Sequence, residues 1–257
     1  MNSFDWKITG VSDQGIKRSN NEDSIGWHIN SEQGWLCAVI ADGMGGHAAG
    51  EVASSMARTE FLDLIENLFT RPASTAGILA IPSEHTMRQA LSEYVKQVDL
   101  HIKQHAAEHP EDQGLGTTLV AVVIFEHQCW IVNIGDSRCY RLRDHEFSQL
   151  TRDDTLVQSW LDNGQITYDK IEQSPYKNVL TQALGAKETL NPQILSIDVA
   201  DTDKFLLCSD GLSNCMVDNF MSETLKQYEQ EESTRQLLAE ALEAGAPDNV
   251  SLIVISQ

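Results

Sequence analysis

The sequence predicts an α+β fold, a β-sandwich flanked by helices, and three observations predict it. Apolar runs of six to nine residues, rich in Val and Ile, read as buried strands: WLCAVIA (Trp35–Ala41), TTLVAVVIF (Thr117–Phe125), CWIVNI (Cys129–Ile134), KFLLCS (Lys204–Ser209) and VSLIVI (Val250–Ile255). Two long stretches between the first and second of these runs repeat apolar residues every three or four positions, which is the period of a helix with one buried face. The order is strands, two helices, a run of strands, two helices and a last strand. It does not alternate strand with helix, so a doubly wound parallel sheet is disfavoured and a sandwich fits.

Taken along the chain, Trp6–Val11 and Ser24–His28 are expected as short strands around a polar turn. Trp35–Ala41 ends at Asp42 and the glycine-rich turn GMGGHAAGE. A helix should follow, with Ala53, Ala57, Phe61, Leu64 and Leu68 on one face. Pro72 and Pro82 mark a loop. A second helix carries Met87, Leu91, Tyr94, Val98 and Ile102 as its stripe, and Pro110 closes it. Glu126-His127-Gln128 is the turn of a hairpin. Strands are expected at Arg138–Arg143 and near Phe147–Leu150, a helix over Asp153–Asn163 ended by Gly164, and an irregular flap over 165–192. Helices over Asp218–Gln230 and Ser233–Ala244 precede the closing strand. No internal repeat or linker divides the chain, so one domain is expected over 1–257.

The 257 residues carry 38 Asp and Glu against 18 Lys and Arg, a formal charge of −20. Such a surface repels nucleic acid and anionic membranes. No apolar run approaches the ~20 residues of a membrane helix, and the N-terminus lacks an apolar signal region. The five cysteines have no CxxC spacing and sit mostly in strand-like runs, so buried thiols in a reducing, cytoplasmic compartment are expected. His101, His105 and His109 stand at helical steps that could bind metal, but a solvated helix face accounts for them as well.

The chemistry is carried by the aspartates. Asp42, Asp136 and Asp210 each follow an apolar run, Asp248 precedes one, and Asp23 lies between a turn and a strand. Glycine or serine stands beside three of them, leaving room for an ion and its waters. Any single aspartate here is explained by turn preference. Four together point to convergence, which would be repulsive without cations. All-oxygen donors suit Mg²⁺, Mn²⁺ or Ca²⁺, and a carboxylate-bridged pair of such ions would provide a deprotonated water and a clamp for phosphoryl oxygens. Arg18, beside Glu22 and Asp23, is the candidate cation for a phosphate.

GIKRSNNED (Gly15–Asp23), ADGMGGHAAGE, GTT, NIGDSR, SDGL and PDNVSLIVI occur in the order found in the metal-dependent, type-2C (PPM) serine/threonine protein phosphatases, and the chain most resembles their bacterial single-domain branch. The resemblance implies a central antiparallel sandwich with helices on both sides. It implies that a water bridging two core Mg²⁺ or Mn²⁺ ions attacks the phosphorus of phosphoserine or phosphothreonine in line. Asp42 would bridge those ions and the Gly43 carbonyl would bind one. Asp210 and Asp248 would complete the other shell, and Asp136 would join Asp210 at a third ion. Glu22 and Asp23 would act through metal-bound waters, Arg18 would grip the phosphate, and Asn249 would support the site. The implied partners are phosphorylated proteins, targets of a serine/threonine kinase, met by a monomer.

Two departures stand out. Some family members carry a histidine directly after the Asp-Gly pair as a general acid; here that position is Met44, and His47 is the candidate substitute. Ser174-Pro175-Tyr176 stands where relatives often have a histidine before the proline. Two other readings compete. A phosphoprotein-binding pseudophosphatase would be expected to have lost aspartates that are all present. A dinucleotide-binding oxidoreductase would use Gly43-Met44-Gly45-Gly46-His47-Ala48 as GxGxxA, but Asp42 would repel the pyrophosphate and the next strand lies too far along the chain.

Overall fold

A computed structural model describes residues 4–45, 49–70, 83–171, 173–186 and 189–257. The strands are β1 (Lys7–Asp13), β2 (Asp23–Asn30), β3 (Trp35–Met44), β4 (Gly116–Thr117), β5 (Leu119–Phe125), β6 (Gln128–Ile134), β7 (Arg138–Arg143), β8 (Glu146–Gln149), β9 (Gln193–Asp198), β10 (Lys204–Cys208) and β11 (Val250–Ser256). The helices are α1 (Ala49–Thr70), α2 (Glu84–Glu108), α3 (Leu156–Asp162), α4 (Asp210–Ser213), α5 (Asp218–Gln227) and α6 (Gln230–Glu243). One sheet runs β1-β11-β10-β7-β8 and the other β2-β3-β5-β6-β9, with β4 pairing β3. Every ladder between these strands is antiparallel, which removes the parallel βαβ unit that dinucleotide binding needs.

The sandwich explains why the central strands read as unbroken apolar runs. Alternate side chains of a strand point to opposite faces, and both faces are covered. From β3 and β5, Leu36, Ala38, Ile40, Val120, Val122 and Ile124 meet Phe205, Leu207, Ile253 and Ile255 of the other sheet. The intervening Cys37, Val39, Ala121 and Val123 face α1 and α2. On the far side Tyr140, Leu206, Leu252 and Val254 pack beneath Leu225 of α5 and Leu237 of α6. The result is helix, sheet, sheet, helix, as expected.

Several boundaries move, each for a local reason. β3 does not stop at Ala41 but runs through Asp42 to Met44, because β4 supplies partners for Gly43 and Met44. The expected strand Thr117–Phe125 breaks at Thr118, whose backbone N–H turns to the carbonyl of Asp42 (2.9 Å). On α1 the buried stripe passes through Phe61, Ile65 and Phe69 rather than Leu64 and Leu68, and Phe69 stacks on Trp35 and Phe125 with centroids 5.2 and 5.1 Å apart. On α2 the core position is Val95, with Tyr94 beside it. The helix expected from Asp153 begins at Leu156, capped by the Thr155 hydroxyl. β9 escaped the sequence reading: it is an edge strand, only half-buried, without a periodic apolar signal.

The described parts of the flap consist of turns and a single 3₁₀ turn, Tyr168–Lys170. Its return is tied down firmly. The Thr181 N–H donates to the Asp154 carbonyl (2.7 Å), and Thr117 and Leu184 exchange two backbone bonds of 3.1 and 2.9 Å. Asp99 of α2 accepts from the Gly185 N–H (2.8 Å) and from Lys103 Nζ (2.6 Å). Gly185 has φ +78°, and a Cβ there would lie 2.5 Å from Ile102 Cγ2, so the close approach requires glycine. Replacing Asp99 by Ala removes a charged acceptor from the half-buried Gly185 amide. Urea denaturation is expected to show a loss of about 1.5–3 kcal/mol, with faster amide exchange at residues 180–186. Unchanged exchange there would refute this anchoring.

Candidate active site

The two sheets bring their aspartates to one edge of the sandwich. Asp23 and Asp42 are directly opposed on β2 and β3, so their side chains share a face at a Cβ separation of about 5 Å. Asp210 begins α4 just past β10, and Asp248 lies just before β11, the strand hydrogen-bonded to β10. The two turns are pressed together: a Cβ on Gly211 would lie 2.0 Å from the Asn249 carbonyl oxygen. Asp136 follows β6 through Gly135, whose φ of +101° suits glycine.

A cleft of about 380 Å³ collects these groups, lined by Arg18, Glu22, Asp42, Gly43, Asp136, Asp210 and Asp248 together with Met44 and Thr118. Asp23 sits beneath it. Its Oδ2 accepts from the Ser209 hydroxyl (2.8 Å), while its Oδ1 is buried with no hydrogen-bond partner. Thus every predicted aspartate reaches one place. His47 lies outside the described residues. His101, His105 and His109 do not join the site: His101 pairs with Glu60 (2.7 Å), His105 with Asp112 (2.8 Å), and His109 stacks on His105.

Arg18 lines the cleft. Its Nη2 pairs with Asp248 Oδ2 at 2.7 Å, not with Glu22 or Asp23, and half of its side chain is exposed. The loop that carries it is held by Asn249. That amide donates to the carbonyls of Gln14 and Asn20 (2.8 Å each) and accepts from the Glu22 N–H (2.9 Å). Asn249 thus makes three bonds to this loop from a buried side chain.

Sequence reading did not single out Thr117, Thr118 or Ser209 individually. The Thr118 hydroxyl accepts from the Asp42 N–H (3.0 Å) and meets the Ser137 hydroxyl (2.8 Å), while the Thr117 hydroxyl donates to the Asp42 carbonyl (2.9 Å). They fix the backbone of Asp42 from both sides. Their signal was present as the pair following Gly116, but a hydroxyl's target cannot be read from spacing. Gly43 is similarly constrained, since a Cβ there would lie 2.1 Å from the Gly50 carbonyl oxygen and 2.6 Å from that of Glu22.

Crowding like charges in a half-buried cleft favours their protonated forms. Burial pushes Asp136 up to about 8, with Asp210 adding to the shift, and Asp23 up to about 7. Burial, then Asp23, Asp210, Asp136 and Asp248, hold Asp42 well above the ordinary carboxylate range. Asp210 is raised by burial and by the charge of Asp248. This donor set fits hard divalent cations: it is all oxygen, mutually repulsive, and includes the orphaned Asp23 Oδ1. Among the described residues no three His, Cys, Asp or Glu side chains already form a coordination shell. Arg18 engages Asp248, a contact that coordination of an ion by Asp248 would replace.

The sign of the pH effect follows. A carboxyl group with a raised folded-state pKa keeps a proton that the unfolded chain releases above about pH 4, so its folded state loses stability as pH rises towards the folded pKa. Asn is neutral throughout. In chelator-treated protein, Asp42→Asn is expected to raise Tm, and by more at pH 8 than at pH 6, as read by differential scanning fluorimetry. An equal or negative change at both values would contradict a repulsive cluster.

With this geometry in place, the comparisons with known proteins are specific. A family model for Protein phosphatase 2C matches residues 15–245. The serine/threonine protein phosphatase PstP of Mycobacterium tuberculosis is 37% identical over 243 residues, covering 95% of this chain and 43% of that protein. The chain therefore spans less than half the length of that relative. The serine/threonine phosphatase stp of Listeria monocytogenes is 34% identical over 247 residues, covering 96% of this chain and 94% of that protein. A crystal structure of the PstP catalytic domain in complex with two manganese ions superposes with a TM-score of 0.78 at 33% identity, covering 98% of this chain and 97% of that one. On the extent of these matches, the chain belongs to the protein phosphatase 2C family.

Proposed function

We propose that this chain hydrolyses phosphoserine and phosphothreonine in proteins, with Mg²⁺ or Mn²⁺ as cofactor at two core positions and a third. The observation that carries the reading is the convergence of Asp42, Asp136, Asp210 and Asp248 with Arg18 in one cleft. A family member solved with two manganese ions supports the choice of metal. In this reading Asp42, Asp210, Asp248 and the Gly43 carbonyl hold the core ions. Asp136 serves the third with Asp210, and Asp23 and Glu22 complete the surroundings. When bound, the ions supply charge neutralisation for phosphoryl oxygens and an acidified water.

The protein's own groups do the rest. The Arg18 guanidinium swings from Asp248 to two phosphate oxygens, a fork geometry that a lysine could not match. Asn249 holds the Arg18 loop, and Thr117 and Thr118 keep the Asp42 backbone from moving. His47 is the candidate proton donor to the departing seryl or threonyl oxygen, since Met44 cannot donate. Phosphoproteins made by a serine/threonine kinase are the substrates. Residues 1–257 act as one domain and as a monomer in the cytoplasm. No described helix is long and apolar enough to cross a membrane, and the net charge of −20 disfavours nucleic acid. The intact set of aspartates leaves the pseudophosphatase reading without a supporting observation.

Mn²⁺-dependent turnover of p-nitrophenyl phosphate, abolished by chelator, tests the reading directly. Asp42→Asn and Asp210→Asn are each expected to lower kcat by roughly 10³-fold or more, the scale of losing an electrostatic element of the reaction, with circular dichroism unchanged. Near-normal turnover in either at limiting Mn²⁺ would remove that residue from the metal set. Arg18→Ala is expected to raise KM about tenfold or more through loss of a charge-assisted clamp. A lowered kcat at constant KM would give Arg18 another role.

A further inference from the structure

A second cleft, of about 560 Å³, adjoins the first and shares Asp136, Asn178 and Asp210 with it. One wall is the flap, with Tyr168 and Ile171; the other is the turn from α4 into α5, with Met216 and Val217. Among the described residues, the two most exposed large apolar side chains are Tyr168 (80%) and Val217 (71%), and both line this groove. Their coincidence is unusual for a solvated surface, where apolar residues are scattered singly. Val217 is also the N-cap of α5 and makes no side-chain cap bond. That position favours Ser, Thr, Asp or Asn. Val217 therefore serves neither the core nor the helix.

We infer that this groove receives the polypeptide segment flanking the phosphorylated residue and that Tyr168 and Val217 select a bulky apolar side chain on that segment. The inference rests on the phosphatase reading of the adjoining cleft. A phosphoresidue seated over Asp136 and Asp210 must send its chain somewhere, and the groove opens from those two residues. Its size lies within the roughly 300–1,000 Å³ range of sites that enclose a ligand. An apolar side chain entering between Tyr168 and Val217 would cover the exposed pair, a contact of the kind that anchors peptides in grooves.

Three substrates in the presence of Mn²⁺ test it: N-acetyl-phosphothreonine amide, which has no flanking residue, a phosphothreonine heptapeptide with Leu at the flanking positions, and the same peptide with Ser in place of Leu. Wild type is expected to favour the Leu peptide about tenfold or more in kcat/KM, the scale of one good apolar contact. Tyr168→Ala, Val217→Ser and the double variant should lose that preference while cleaving the blocked phosphothreonine within about twofold of wild type. Val217→Ser supplies a helix cap, so the variant is not handicapped in folding. No preference in wild type, or an intact preference in the double variant, overturns the groove while leaving the phosphatase reading standing. An equal loss on the blocked phosphothreonine also overturns it, by moving these residues into the phosphate site. Phosphate release from none of the three by wild type overturns both readings.

Discussion

The structure is organised around holding like charges together. Asp23, Asp42, Asp136, Asp210 and Asp248 come from both sheets, and burial with mutual repulsion raises the pKa of four of them. Left alone, those side chains would part. They stay together because each is fixed to a strand end or tight turn whose position is set elsewhere, by apolar residues packed on both faces of both sheets. The small residues around them follow from the same demand. Gly43 and Gly211 lie where a Cβ would collide with neighbouring backbone, and hydroxyls of Thr117, Thr118 and Ser209 satisfy backbone and carboxylate atoms that no longer see water.

In the phosphatase reading, this arrangement lets an acidic protein engage an anion. Over most of the surface the charge of −20 would repel a phosphate dianion. In the cleft the same acidity becomes an attraction once cations are captured, because the carboxylates are spent on them. Arg18 is then the one side chain among the cleft's described lining residues that carries positive charge of its own. Its pairing with Asp248 keeps it at the rim, and the Asn249 bonds keep its loop from drifting.

Much of this was legible in the sequence, for reasons that can be named. Strands buried on two faces write themselves as unbroken apolar runs, so β3, β5, β6, β10 and β11 stood out. The aspartates could be found because each abuts such a run. β9 could not: an edge strand with half-buried residues has no strong pattern. The stripe of α1 was read one residue out of phase beyond Phe61 because Leu64 and Leu68 look as apolar as Ile65 and Phe69, and the aromatic stack on Trp35 and Phe125 decides between them. The partner of Arg18 was beyond reach, since neighbours in sequence suggested Glu22 and Asp23 while the fold offered a residue 230 positions away. The hydroxyl supports of Asp42 were invisible for a related reason: what a threonine bonds to depends on tertiary approach.

The pairing of β11 between β1 and β10 has a consequence for how the chain is made. Val250–Ser256 fills the interior of its sheet, and Asp248 and Asn249 immediately precede it. A nascent polypeptide still lacking that stretch on the ribosome has an open seam where two strands should be joined, an unbraced Arg18 loop and an incomplete acidic cluster. Assembly of the cleft therefore waits on contacts of very long sequence separation, which form slowly.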